Sequence, residues 1–245
     1  MGGFVDSKVT LPLLITSAIK PVAIYTALQD PDRRLYETVK AIEHWLEMGV
    51  TNVVICDGSG FDIENAVKEK LNSTQKVNFE FIVFTNDASS VARLGKGYGE
   101  GQIVAKALER SELIREYGAF AKCTGKFWVK NAMPAMTHFE SPFKADVFGR
   151  LSIKYVDTRF YLSTVDFYQR WLKDCYLSVN DPLGYWLEHA FLDQLKLSGL
   201  NDWIARPAFW TEGLSGTKGL NQHRKVWKES LRTVRNHLFA SIYLS

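Results

Sequence analysis

Cysteine is scarce: the 245 residues contain three, Cys56, Cys123 and Cys175, widely separated and without a C-x-x-C pair. That excludes a disulfide framework and a zinc knuckle and leaves three buried free thiols as the expectation. No apolar run approaches the roughly 20 residues that a bilayer-spanning helix needs. Neither sign of charge dominates, with Lys+Arg 30 against Asp+Glu 27 and a net charge of +3. A nucleic-acid footprint spread over the whole domain is therefore not expected. Residues 1–14 hold an Asp and a Lys close together and no apolar stretch before a small-residue cleavage site, so they do not read as a secretory leader and the chain reads as cytoplasmic. Neither G-x-S-x-G nor H-E-x-x-H occurs, which removes the commonest serine-hydrolase and zinc-protease chemistries. The glycines of Gly95–Gly101 (GKGYGEG) alternate and follow no buried strand, so the dinucleotide fingerprint fails. Thr124-Gly125-Lys126-Phe127 lacks both the upstream glycine and the Ser/Thr of a P-loop.

What remains is an ordinary core-forming composition, 46% apolar and 23% charged, enough for one large domain. Its elements alternate. Leu11–Ala18 and Thr51–Cys56 are continuous apolar or β-branched runs that predict buried strands, and Phe79–Phe84 predicts a third. Arg33–Met48 carries Leu35, Val39, Ile42 and Leu46 at helical spacing and stops at Gly49. Ile63–Leu71 predicts a second helix, and Gly101–Tyr117 a third, opened by the glycine-rich string. Ala119–Val129 reads as a fourth strand interrupted at Thr124-Gly125. Beyond residue 130 the alternation decays: 131–149 reads as irregular, Ile153–Leu162 as a strand, and Thr164–Leu177 and Gly184–Leu197 as aromatic-rich helices. Strands separated by helices imply parallel pairing, so the expected fold is α/β, a mostly parallel Rossmann-like sheet flanked by helices with a helical, aromatic-rich C-terminal part. The expected division is 1–130 as a nucleotide-binding half, 131–222 as an acceptor-binding half of the same domain, and 223–245 as a basic amphipathic helix. In that helix Trp227, Leu231, Val234, Leu238 and Ile242 form one stripe, and from Lys218 to Arg235 six Lys/Arg face one acid, Glu229. Such a helix either lies on a membrane surface or packs its stripe on the domain.

Ligands of parallel sheets bind outside the carboxyl ends of the strands. Those ends are Thr16-Ser17, Asp57-Gly58-Ser59, Thr85-Asn86-Asp87 and the loop after Thr124. At Asp57 a strand runs into a turn (DGSGFD) whose carboxylate can accept hydrogen bonds from a base or ribose while the glycines admit a ligand to the backbone. The same string can also be a plain Asp-Gly turn that ends a strand.

The order Leu14-Ile15-Thr16-Ser17-Ala18, a helix with Thr38 and Trp45, then VVICDGSGFD resembles the start of GT-A-type glycosyltransferases. GKGYGEG, the KCTGK string Lys122–Lys126, Asn131, Tyr155–Phe160 (YVDTRF), Asn180-Asp181 and Leu187-Glu188-His189 resemble a bacterial group that builds lipopolysaccharide or capsule. The resemblance spans residues 11 to 220. It implies a nucleotide-sugar donor and a glycan or glycolipid acceptor, met in the cytoplasm or at the inner membrane face, with no cofactor. Thr16, Ser17, Asp57, Ser59 and Asp87 would hold the nucleoside. Most of these enzymes carry an Asp-x-Asp after the fourth strand that holds a divalent cation. Here KCTGK stands there, and the sole Asp-x-Asp, Asp30-Pro31-Asp32, reads as a helix cap. The departure implies metal-independent transfer, with Lys96, Lys122, Thr124, Gly125, Lys126 and the later Ser215, Thr217, Lys218, His223 or Arg224 as donors to the leaving phosphate. Inverting transfer needs a base; Glu188 is the candidate, ahead of Asp146, Asp157 and His138. Glu188-His189 could instead be a solvated face. Asp157, Arg159 and His189 are acceptor-side or structural. Aromatics at 13% can stack on sugar rings, though most are core. Two other readings stay open: a Rossmann-like nucleotidyl- or methyltransferase, and a non-catalytic nucleotide-sugar-binding subunit.

Overall fold

The computed structural model describes residues 10–22, 27–71, 76–214 and 226–243. In chain order the elements are β1 Leu13–Ser17, α1 Pro31–Glu47, β2 Asn52–Asp57, α2 Ile63–Lys70, β3 Asn78–Val83, α3 Ala88–Leu94, α4 Lys96–Arg110, α5 Glu112–Tyr117, β4 Ala119–Thr124, β5 Phe127–Val129, α6 Ala132–Thr137, β6 Phe143–Gly149, β7 Ile153–Thr164, α7 Val165–Phe167, α8 Leu187–Ser198, β8 Thr211–Gly213 and α9 Val226–Tyr243. A six-stranded sheet has the order β3-β2-β1-β4-β7-β6, and β5 pairs with β8 in a second, two-stranded sheet. β3, β2, β1 and β4 are parallel. β7 runs antiparallel to β4, and β6 antiparallel to β7. The fold is α/β with a mostly parallel central sheet between helical layers, as the alternation of the first half implied.

Both faces of this sheet are covered, which is why its central strands are apolar along most of their length. Successive side chains go to opposite sides. Leu13, Ile15, Val53 and Ile55 join α1's Leu35, Val39, Ile42 and Trp45 in one core. Leu14, Val54 and Phe120 join α4's Ile103, Val104 and Ala107 and α8's Leu187, Phe191 and Leu195 in the other. All three cysteines are free and buried.

Several expectations change. The glycine-rich string is not a loop: Lys96 opens α4, and Gly97, Gly99 and Gly101 are buried in its first turns. They permit close packing, since a Cβ at Gly97 would sit 3.1 Å from Asp181 and Val179, and one at Gly99 3.1 Å from Asn86 and Val91. The single helix read over 101–117 is two, split at Ser111, whose hydroxyl accepts from Ile114 N and donates to Glu80 Oε2 at 2.6 Å. The strand read over 119–129 is divided between two sheets at Gly125-Lys126. Residues 131–149, read as irregular, hold α6 and the edge strand β6. Thr164–Leu177 is not one helix but a turn of α-helix, a π-type turn over Tyr168–Leu172 and a 3-10 turn over Cys175–Ser178. Asp30 caps α1, accepting from Asp32 N at 3.0 Å, in keeping with the sequence reading.

The last helix differs most. α9 does pack on the domain, but its apolar stripe faces outward: Trp227, Leu231, Val234, Leu238 and Ile242 are exposed. The buried face carries Glu229, Arg232 and Asn236 beside Phe239 and Ala240. Arg232 donates to Asp146 Oδ2 and Glu229 Oε2, and Asn236 Nδ2 donates to Asp146 Oδ1 and, at 2.8 Å, to Ala205 O. Asp146 also takes the backbone N–H of Phe209 at 2.9 Å. A buried ionic network, together with Phe239 and Ala240 in the core, holds this helix. None of the described helices is long and apolar enough to cross a membrane.

Candidate functional site

The carboxyl ends of β1, β2 and β4 and the amino end of β7 converge on one side of the sheet. Beneath this rim lies a polar cluster that the sequence did not reveal. Glu100, one turn into α4, accepts from Thr16 Oγ1 at 2.8 Å and from Thr124 Oγ1 at 2.9 Å. It also pairs with Lys122. Lys122 is buried, donates to Thr124 Oγ1 and to Thr158 O, and stands over the Tyr161 ring. Its contacts are all internal, so Lys122 neutralises Glu100 instead of facing a phosphate as expected from the sequence. In turn Lys122 holds the Glu100 carboxyl below its usual range against the opposing pull of burial.

Above this pair sits Lys126. Its backbone is left-handed, with φ 76°, directly after Gly125, whose N–H donates to Thr16 O at 2.7 Å as the β1–β4 ladder ends. A Cβ at Gly125 would lie 2.8 Å from that oxygen. The Lys126 side chain is 6% exposed, and among the described residues no hydrogen bond or ion pair holds its ammonium. Burial, with repulsion from Arg34 and Lys96, pushes its pKa down to about 7, against the pull of Glu100 and Asp57. A non-glycine residue in this conformation with an unpaired buried charge is costly, and such costs cluster at functional sites. Arg34 is a cation that the sequence reading missed. It lies on α1's buried face with Thr38, Ala41 and Trp45, and it donates to Ala18 O at 2.7 Å and Leu28 O at 2.9 Å. A charged residue at helical spacing from buried ones was the available signal.

The other expected nucleoside contacts are occupied within the protein. Asp57 is fully buried; it accepts from Ile19 N at 3.0 Å and from Ser59 N at 2.8 Å and Oγ, while Ser59 Oγ accepts from Lys20 N at 3.1 Å. These two residues lock the β1 and β2 loops together. Ser17 is buried and its carbonyl accepts from Gly58 N. Asp87 caps α3, and hydrogen bonds from Ser89 and Ser90 lower its carboxyl to about 2.

Across the rim, Glu188 lies in the first turn of α8. Burial raises its carboxyl pKa, as do Asp157 and Asp181, while its own backbone N–H and Lys96 oppose the rise. Arg159 feels Glu188 electrostatically and is held by Asp157, donating from Nε at 2.8 Å. Asp181 accepts from Gly97 N at 3.1 Å at the start of α4, with its Oδ1 buried and unpartnered. His189 Nδ1 accepts from Trp186 N, and its ring stacks between Trp186 and Tyr185. Asp146 is taken up by α9, which removes it as a base. His138 ends α6. Ser215, Thr217, Lys218, His223 and Arg224 lie outside the described residues.

The divalent cation that most GT-A-type enzymes carry after the fourth strand finds no fitting donor set at the end of β4. Lysines and threonines end β4, and the carboxylate among them, Glu100, already serves Lys122 and two hydroxyls. Among the described residues no group of three His, Cys, Asp or Glu could hold a metal ion.

No protein-family model matches the chain, and no curated protein matches it in sequence. Among solved structures it is similar to WbbM, a bifunctional glycosyltransferase, at 9% identity and TM-score 0.49, covering 97% of this chain and 45% of that one. It is similar to the galactosyltransferase LgtC in complex with donor and acceptor sugar analogues, at 9% identity and TM-score 0.48, covering 76% and 70%. HddC from Yersinia pseudotuberculosis gives 11% identity and TM-score 0.43, over 64% of this chain and 77% of that one. This chain thus spans less than half of WbbM's length. Likenesses this distant establish no activity for it. What the structure defines is an α/β protein with a mostly parallel sheet, a buried lysine without a partner among the described residues at the end of β4, and a carboxyl raised by burial in the first turn of α8.

Proposed function

We propose that the chain transfers a glycosyl group from a nucleoside-diphosphate sugar to a hydroxyl of a bacterial surface glycan, lipopolysaccharide, O-antigen or capsule, without a divalent cation. The observation that carries this reading is the buried, unpaired ammonium of Lys126 at the β4 end. An anion there would restore the proton that burial disfavours and would be met by Lys126, with Lys96 at the start of α4 adding positive charge. Glu188 takes the proton from the acceptor hydroxyl, whose oxygen bonds to the anomeric carbon. The bond from that carbon to the diphosphate breaks, its electron pair going to the leaving oxygen beside Lys126.

A thermal-shift series with UDP and GDP, each with manganese and with EDTA, tests this. One nucleotide should raise the melting temperature equally in EDTA, and Lys126→Gly should abolish that shift. Because glycine accepts the left-handed backbone without strain, Lys126→Gly should also raise the melting temperature of the free protein, by about 1 kcal/mol of stability. A nucleotide shift that survives the substitution removes Lys126 from the phosphate site.

We also propose that the acceptor is lipid-linked and met at a membrane surface. The outward stripe of α9 is flanked by Lys228 and Arg235, the arrangement of an interfacial helix on anionic lipid. The full chain should pellet with phosphatidylglycerol-containing vesicles but not with phosphatidylcholine alone, and Leu231→Asp with Leu238→Asp should remove most of the pelleting. Pelleting untouched by that pair would overturn the membrane proposal.

A further inference from the structure

The β6–β7 hairpin reaches past the carboxyl ends of the parallel strands, since Val147 pairs with Val156 while β4 ends opposite Phe160. Between its tip and α9 lies a groove of about 580 Å³ lined by Phe148, Arg150, Leu151, Lys154, Tyr155 and Arg235, among others, and by no carboxylate. Arg150 and Lys154 are exposed, and among the described residues neither has an acidic partner. Arg235 donates from one Nη to Val147 O and Asn236 Oδ1, but its Nε is buried with no partner. Two more guanidiniums lie under the groove floor, Arg159 at 5.5 Å and Arg232 at 6.0 Å from the Phe148 ring centre. Arg150 and Lys154 add exposed positive charge that no lining carboxylate offsets, while Arg159, Arg232 and Arg235 stand over the buried acids Asp157, Asp146 and Glu229, so the mouth of the groove is the part that favours an anion. Leu151, at the rim, is 97% exposed.

The groove is joined to the proposed site by rings. Phe148 meets Tyr155 at 5.0 Å, Tyr155 meets Trp186 edge-on at 6.0 Å and His189 at 5.7 Å, and Trp186 stacks on His189 at 5.1 Å. Trp186 and His189 flank Glu188 in sequence and share its turn. Half-exposed aromatic rings offer apolar faces of the size of a sugar ring, with polar edges beside them.

We propose that this groove binds an anionic group, a carboxylate or phosphate, carried by a saccharide whose next residues lie along Tyr155 and Trp186 toward Glu188. The acceptor is then an acidic glycan. That last step rests on the glycosyl-transfer reading; the binding itself does not.

Isothermal titration of the full chain with tetragalacturonate, glucose 6-phosphate, maltotetraose and inorganic phosphate tests it in the absence of nucleotide. At least one of the acidic saccharides should bind at least tenfold more tightly than both maltotetraose and inorganic phosphate, and its affinity should fall with salt. Which of the two does so distinguishes a carboxylate from a phosphate. Arg150→Gln with Lys154→Gln should weaken that binding at least tenfold with the melting temperature unchanged, both residues being exposed. Maltotetraose bound as tightly, inorganic phosphate bound as tightly, no binding at all, or no effect of the double substitution would each overturn the proposal. Failure here with the nucleotide shift intact would leave the transfer reading standing, and the reverse result would separate the two equally.

Discussion

Arg232→Ala is expected to lose about 3–5 kcal/mol of folding stability at pH 8, the cost of removing one partner from a buried charge pair. Asp146 is 1% exposed and Arg232 9%, so water cannot stand in for the missing guanidinium. Burial already pushes the Asp146 carboxyl up to about 6, with Arg232 holding it down. The raised value sets the pH dependence. The unfolded chain releases this proton near the ordinary aspartate value of about 4, so between about pH 4 and 6 the folded state binds the proton more tightly. This one group therefore favours folding less as pH rises through that window. Below it Asp146 is neutral in the fold and needs no cation. The deficit of Arg232→Ala should consequently shrink between pH 8 and pH 5. Urea unfolding at the two pH values measures it, with Lys228→Ala, exposed on the same helix, as a control expected to stay within about 0.5 kcal/mol of the parent. An equal deficit at both pH values would show that Asp146 does not carry the effect.

Glu188→Gln is expected to lower turnover by about 10²- to 10⁴-fold, the usual range for a general base, with nucleotide binding unchanged. Because the Glu188 carboxyl is raised by burial, the parent should lose activity as pH falls through that raised value, when the base takes up its proton. The variant's residual activity should lack this acid limb. Rates with the donor identified by thermal shift, followed across pH, test both parts. Unaltered turnover with the acid limb intact would move the base elsewhere.

The parallel half was legible because its strands are buried on both faces. VVIC and LLI are then apolar at every position, and α1's stripe at Leu35, Val39, Ile42 and Trp45 has only one side to turn inward. The rim of the site was legible to the extent that it sits at strand ends. What those ends do was not, because it depends on contacts between distant segments: Lys122 was read as a phosphate donor, but Glu100, 22 positions earlier in sequence, claims it. Edge strand β6 escaped because Pro142 and the polar residues before it mimic a loop. Which face α9 turns inward stayed open for a different reason. A stripe of large apolar residues normally marks the buried face of a helix, yet here the buried acids Asp146 and Asp157 turn Arg232 and Asn236 inward and leave the stripe outside.

The same inversion sets the order in which the protein can be completed as it is synthesised. Asp146 precedes Arg232 by 86 residues and Asn236 by 90. At about 5–20 residues per second, the carboxylate emerges roughly 4–17 s before its cation. Throughout that interval Asp146, on the edge strand β6, lacks the guanidinium that later pairs with it. The parallel strands can pair early, whereas this edge of the sheet closes only when α9 arrives, so the groove beside the hairpin takes shape after the parallel half.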